Sequence, residues 1–158
     1  MTGPIKLLLD PGDCFSIPIA DSTFAFGQYV LYHPKAGPLV RIFDLRRLVA
    51  DIDVNELRSA ALAFPPVFVG LNPPLKSGRW KKVGAFPIES TFTFPRFRTS
   101  LLLRDENNGD WKIWDGQSYS DLGALTPEFS DLEVKCVYAY GDLERRIQSG
   151  RDWIQEKT

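Results

Sequence analysis

The stretch from Gly12 to Tyr32, GDCFSIPIADSTFAFGQYVLY, constrains the fold more than any other part of the chain. Phe15, Ile17 and Ile19 alternate with Cys14, Ser16 and Pro18. After a short polar turn at Ala20-Asp21-Ser22, Phe24, Phe26, Val30 and Tyr32 take one face, and Ala25, Gly27, Tyr29 and Leu31 the other. Successive side chains of a strand point to opposite faces, so this period of two predicts a half-buried β-hairpin.

The remaining chain continues in the same style. Residues 1–11 are a lead-in that ends in the turn Asp10-Pro11-Gly12. A second turn, His33 to Pro38, precedes a strand over Leu39–Leu45. Asp53 can cap a helix whose apolar spacing, Leu57, Ala60, Ala61 and Phe64, runs to the stop at Pro65-Pro66, with Glu56 as the capping-box acid. Val67–Leu71 and Arg79–Phe86 read as strands, separated by turns at Asn72-Pro73-Pro74 and Ser77-Gly78. Gly27 and Gly84 interrupt good strands, which marks a bulge or a close backbone approach. Thr91–Arg98 is extended and at an edge because of Pro95. Leu101–Arg104 and Trp111–Asp115 read as strands around an Asn-Gly turn, and 116–133 as a long acidic connection. Val134–Tyr140 is a last strand. Asp142 caps a final helix with Leu143, Ile147, Gly150 and Ile154 on one stripe and Trp153 beside it. The aromatic content of 13%, in alternating runs, and the frequent Gly and Pro suit short strands. The fold expected is β-rich α+β: a strongly bent antiparallel sheet or a small, partly open barrel with two packed helices. At 158 residues it is expected to form one domain.

Several classes of chemistry find no support in these residues. There is no CxxC, no His pair at helical spacing, no EF-hand loop and no glycine-rich phosphate loop after a strand. No cofactor or metal is therefore expected. His33 is the one histidine and sits in a turn before Pro34; alone it is a weak sign of acid–base catalysis. Cys14 and Cys136 fall on predicted strands and read as two buried thiols, with a long-range bridge left open. The paired acids Asp105-Glu106 and Asp51/Asp53 read as solvated turn residues. The apolar run near the N-terminus, Ile5 and Leu7 to Leu9, is too short for a signal peptide or a membrane span, so a reducing cytoplasm is the expected compartment.

The charge pattern says more. Net charge is −1, which excludes a global field toward nucleic acid or membrane. That total hides two opposed blocks. Residues 76–104 carry seven Lys/Arg against Glu89, a balance of +6, and 105–133 carry eight acids against Lys112, a balance of −7. The two blocks either answer each other or serve a partner. An acidic surface speeds and orients encounter with a basic protein. The basic block, with Trp80, Phe92, Phe94 and Phe97 interleaved, has the composition of a single-strand nucleic-acid platform, although strand alternation makes core of at least half of those rings.

GDCFSIPIADSTFAFGQYVLY, followed by RIFDL and FPPVFVGLNPPLKSGRWKKVG, resembles the immunity protein 26 family of bacterial polymorphic toxin systems. The resemblance spans residues 12 to 98. It rests on the GDxFxIPI opening, FAFGQ and SGRWKKVG; these are packing and turn residues, so no catalytic role is carried over. It implies a cytoplasmic, non-enzymatic protein that binds a cognate toxin and blocks it. Many such toxins are nucleases with basic clefts, which an acidic patch would suit. The partner-binding residues expected are Asp105, Glu106, Asp110, Asp115 and Asp121 as charge complements. Trp111 and Trp114 point to opposite faces of one strand, which makes one core and the other, Trp114, an aromatic anchor. The alternative is a nucleic-acid-binding β-barrel using Lys81, Lys82, Arg96 and Arg98. A hydrolase built on His33 is a third reading and would need a pocket around that residue.

Overall fold

The computed structural model describes residues 6–151. Its strands are β1 (Asp13–Pro18), β2 (Phe24–His33), β3 (Gly37–Ile42), β4 (Val67–Val69), β5 (Lys81–Ala85), β6 (Phe97–Thr99), β7 (Trp111–Trp114), β8 (Tyr119–Gly123), β9 (Glu133–Val134) and β10 (Val137–Tyr138). Its helices are α1 (Val54–Arg58), α2 (Asn72–Lys76) and α3 (Tyr140–Ser149). The fold is β-rich α+β, with one six-stranded sheet in the order β10-β4-β3-β2-β1-β5 and one four-stranded sheet in the order β8-β7-β6-β9. The sheets do not close into a barrel. No helix among the described residues is long and apolar enough to cross a membrane.

The opening hairpin forms, with Phe15 opposite Gly27 and Ile17 opposite Ala25. A Cβ on Gly27 would lie 2.7 Å from Phe15 Cζ, so the missing side chain leaves room for that ring. Both faces of the hairpin are buried, not one. On one face Phe15, Ile17, Ala25 and Tyr29 join Val40, Ile42, Val67 and Val69 under Trp80, Leu143 and Ile147. The opposite face is covered in two parts. Cys14, Phe26 and Phe43 meet Ile52, Leu57 and Phe86, while Leu39 and Phe68 meet Phe97 and Trp114 of the second sheet. A register shift between Tyr29 and Leu31 resets the alternation, so these two residues join different clusters although their spacing predicts one face. Gly84 marks a second shift, where Cys14 pairs with Gly84 but Phe15 with Lys82.

Several boundaries differ from the sequence expectation for identifiable reasons. The helix capped by Asp53, whose carboxylate accepts from Asn55 N at 3.0 Å, ends at Arg58 and not at Phe64. Residues 61–63 instead satisfy the backbone of the chain leaving β3, with Asp44 N donating to Ala61 O at 2.8 Å and Ala63 N to Ile42 O at 2.9 Å. Glu56 pairs with Arg47 and does not act as a capping-box acid. Asn72–Lys76, read as a turn, is the short helix α2; prolines fit its first positions because no intrahelical donor is needed there. Leu101–Arg104 is a loop and no strand, and the acidic connection contains β8. The single strand expected over Val134–Tyr140 is two strands in different sheets. β9 runs parallel to β6 and β10 parallel to β4, so the chain crosses between sheets at Lys135 and Cys136. Ala139 precedes α3, Asp142 lies in its first turn, and Gly150 caps its end. The expected stripe holds at Leu143 and Ile147, which are buried; Trp153 and Ile154 lie outside the described residues.

Candidate interaction surface

The residues that look most distinctive in sequence are interior in space. Gly12 has φ +101°, and a Cβ there would sit 2.8 Å from the Phe86 carbonyl oxygen, so only glycine lets the two backbones meet. Asp13 accepts from Asp10 N at 2.8 Å and pairs with Lys82 at 3.2 Å. Phe15 stacks on Trp80 at 5.3 Å. Gln28, fully buried, donates to the carbonyls of Gly12 (3.0 Å) and Phe86 (2.8 Å) and accepts from Arg41 Nε at 2.7 Å. Arg41 then grips both oxygens of Glu89, at 2.6 and 2.8 Å. This chain of bonds pins the segment after β5 across the sheet.

The Arg41 bonds hold the Glu89 carboxyl down at about 2, against an ordinary 4.5. A depressed carboxylate stabilises the fold above its unfolded value and loses that contribution as pH falls through the folded one. Glu89→Gln is therefore expected to flatten the stability profile between about pH 4.5 and pH 2. Glu89 is 49% exposed on its side chain, so solvent screening keeps the effect to about 1 kcal/mol or less. Urea midpoints of both proteins across that range check it; parallel profiles would contradict the assignment.

The groups considered for chemistry are engaged. His33 is half-buried among Phe68, Phe94 and Trp114, and is no open turn residue. Lys35 N–H donates to Nδ1 at 3.1 Å, so Nε2 carries the proton and donates to Gly116 O at 2.6 Å. A cavity of about 370 Å³ does border His33, lined also by Phe94, Asp115 and Gln117, but neither ring nitrogen faces it unpaired. Asp115 is taken up by the amides of Gln117 and Ser118. Burial pushes the Cys14 thiol up to about 12, so it is no thiolate nucleophile.

The sequence matches the family described as immunity protein 26 over residues 10–109, well over half of the chain. The chain belongs to the immunity protein 26 family. Searches of curated proteins and of solved structures returned no match. Family membership suggests a toxin-neutralising role and implies a protein toxin as partner. Gly12, Phe15, Gly27 and Trp80, which lie in the motifs of the family resemblance, are core residues, whereas Asp21, Arg79 and Lys81 of the same motifs are exposed.

The acidic candidates do not form one patch. Asp105, Glu106 and Asp110 lie in the loop between β6 and β7, whereas Asp115 is in the turn at the far end of β7, about 17 Å of strand away from Asp110. Asp121 sits on β8 at the sheet edge, in register with Lys112. Asp110 accepts from Leu101 N at 3.1 Å and from Lys112 at 3.3 Å, and these bonds hold its carboxyl below the usual range. Asp110 and Asp115 shape turns, as does Asp105, which accepts from Asn107 N at 3.0 Å; Asp105, Glu106, Asp115 and Asp121 are exposed and Asp110 is half-buried. Glu133 of the same block is spent inside the protein, on Arg146.

Trp114 is 3% exposed and packs against Phe68, Phe94 and Phe97. Trp111 is buried too, beneath the Arg98 guanidinium at 4.9 Å. Both faces of β7 are covered, so the expectation of an aromatic anchor at Trp114 gives way to a core role. The basic block is used internally in part, while Lys76, Lys81 and Arg104 are exposed. Trp80 and Phe97 are buried, Lys82 pairs with Asp13, Arg98 is buried, and Arg96 stacks on Phe129. The rings required for base stacking are not at the surface together with these cations. What sequence reasoning missed is Leu101 and Leu102, which stand out in solvent. A signal was present: three consecutive leucines followed by RDENNGD show no alternation, which argues against the strand predicted there.

Proposed function

We propose that this protein binds a cognate bacterial toxin in the cytoplasm and blocks it by occlusion, with no catalysis of its own. The observation that carries this reading is the family match across residues 10–109. The engaged state of His33 and Cys14 is consistent with it, because occlusion asks only for a stable surface. Asp105, Glu106 and Asp121 are the charges that meet the toxin, supported by their exposure. Asp110 and Asp115 contribute by shaping the adjoining turns. Exposed acids suit a toxin with a cationic face, and a nuclease domain, whose substrate is a polyanion, is the class we infer.

Co-expression with a cognate toxin domain, sought among the genes beside this one, is expected to restore growth to cells that the toxin alone kills. Continued killing, with the protein folded and abundant, would overturn the reading. Charge reversal at Asp105 and Glu106 is expected to slow association by about tenfold at low salt, with the deficit shrinking as salt rises. Association rates that match the wild type at every salt concentration would remove the acidic surface from the site.

A further inference from the structure

The β6–β7 loop is built around one buried side chain. Asn108 is 8% exposed and uses its full hydrogen-bonding capacity on the loop itself. Its Nδ2 donates to the carbonyls of Leu102 (2.8 Å) and Asp105 (2.6 Å), and its Oδ1 accepts from Asp110 N (2.7 Å) and Ser100 Oγ (3.1 Å). Asp110 adds a second brace by accepting from Leu101 N. Backbone bonds from Asp105 N to Leu102 O and from Asn108 N to Asp105 O close the turn. At the crest of this braced loop Leu101 is 92% exposed and Leu102 57%.

Two adjacent leucines held largely in water add little to the stability of this fold. A rigid backbone beneath them removes the ordering cost that a floppy loop would incur on binding. Leu103 and Arg104 come next and then Asp105 and Glu106, the last three exposed, so with Asp110 the loop over 101–110 carries three acids against one base. The exposed pair Leu48–Val49 differs: it lies between Arg46 and Arg47, paired to Asp21 and Glu56, and Asp51 and Asp53, so its flank is balanced and not acidic in sum. Charge therefore separates the two apolar sites. The β6–β7 loop suits a partner that surrounds an apolar socket with cations.

We propose that Leu101 and Leu102 are the apolar anchor of the toxin interface, inserted into a socket on the toxin whose rim carries Lys or Arg opposite Asp105 and Glu106. The inference rests on the toxin-binding reading above and goes further by naming the contact that carries the affinity. Burying both leucines accounts for about 100-fold in affinity.

The test uses the full-length protein and the toxin domain against which its co-expression restores growth. Leu101→Ser/Leu102→Ser is expected to bind about 30- to 100-fold more weakly, mainly through faster dissociation, with the melting temperature unchanged. Amide exchange on the wild-type complex is expected to protect residues 101–106, a readout that needs no variant. Binding of the double variant within about twofold of wild type, or no added protection at 101–106, overturns the anchor and leaves the toxin-binding function standing. Failure of the wild-type protein to bind that domain overturns both.

Discussion

Arg146→Ala is expected to destabilise the protein by about 3–5 kcal/mol, because it strands a buried carboxylate. Arg146 projects from α3 and holds both oxygens of Glu133, with Nη2 at 2.8 Å, and donates to the Tyr138 hydroxyl at 3.0 Å. Its guanidinium also lies 3.9 Å from the centre of the Phe64 ring. Glu133 belongs to β9 and Tyr138 to β10, so one side chain joins the four-stranded sheet, the six-stranded sheet and the helix. The side chains of Arg146 and Glu133 are only 9% and 12% exposed. Burial disfavours the charge on Arg146, yet the bonds to Glu133 more than offset this and its pKa stands above the ordinary arginine value. Replacing both partners, as in Glu133→Leu/Arg146→Met, is expected to recover most of the loss, since the desolvation cost of both charges disappears. Urea unfolding of the single and double variants checks this. A single variant within about 1 kcal/mol of wild type would show that Glu133 finds water or another donor.

Trp80→Ala should cost a similar amount, about 3–5 kcal/mol, by opening a cavity at the centre of the main core. The ring is buried and stacks on Phe15 with an interplanar angle of 5°. Tyr140 of α3 meets it edge-on at 6.3 Å. The indole Nε1 donates to Glu144 at 2.9 Å, and Arg79 holds the same carboxylate through two bonds at 2.8 and 2.7 Å. Trp80 thus docks α3 against the opening hairpin. Trp80→Phe keeps most of the packing and loses the indole donor, for which about 1 kcal/mol is expected. Denaturant midpoints should rank wild type, Trp80→Phe and Trp80→Ala in that order. Equal midpoints for the two variants would shift the weight from packing to the Glu144 bond.

The two positions differ in how visible they are before folding. Trp80 lies in SGRWKKVG, a segment that stands out on the page, although its reading as a possible stacking ring for bases competes with its core role. Arg146 attracts no notice in the run DLERRIQS, because nothing in helical spacing reveals that its partner is Glu133, on a two-residue strand. Glu133 reads instead as one more acid in a charged connection. The same confusion affects the site. Asp110 and Asp115 are surface charges that also bind loop amides, a second role that no local pattern shows. Trp114 looks available, but a second sheet covers it.

Local pattern alone was enough for the opening hairpin, the Asp53 cap, the bulge at Gly84 and the β-rich α+β class, since period, capping and glycine placement are properties of neighbouring residues. The family was legible from short motifs of neighbouring residues, and some of these are closely packed, such as Gly12 against the Phe86 carbonyl and Phe15 against Trp80. Tertiary structure alone decided that the hairpin is buried on both faces, that Val134–Tyr140 splits between two sheets, and which acids remain in solvent. Each of those outcomes depends on what a distant segment places on a surface. Burial, charge pairing and exposure are relations between residues far apart in the chain, and no local period encodes them.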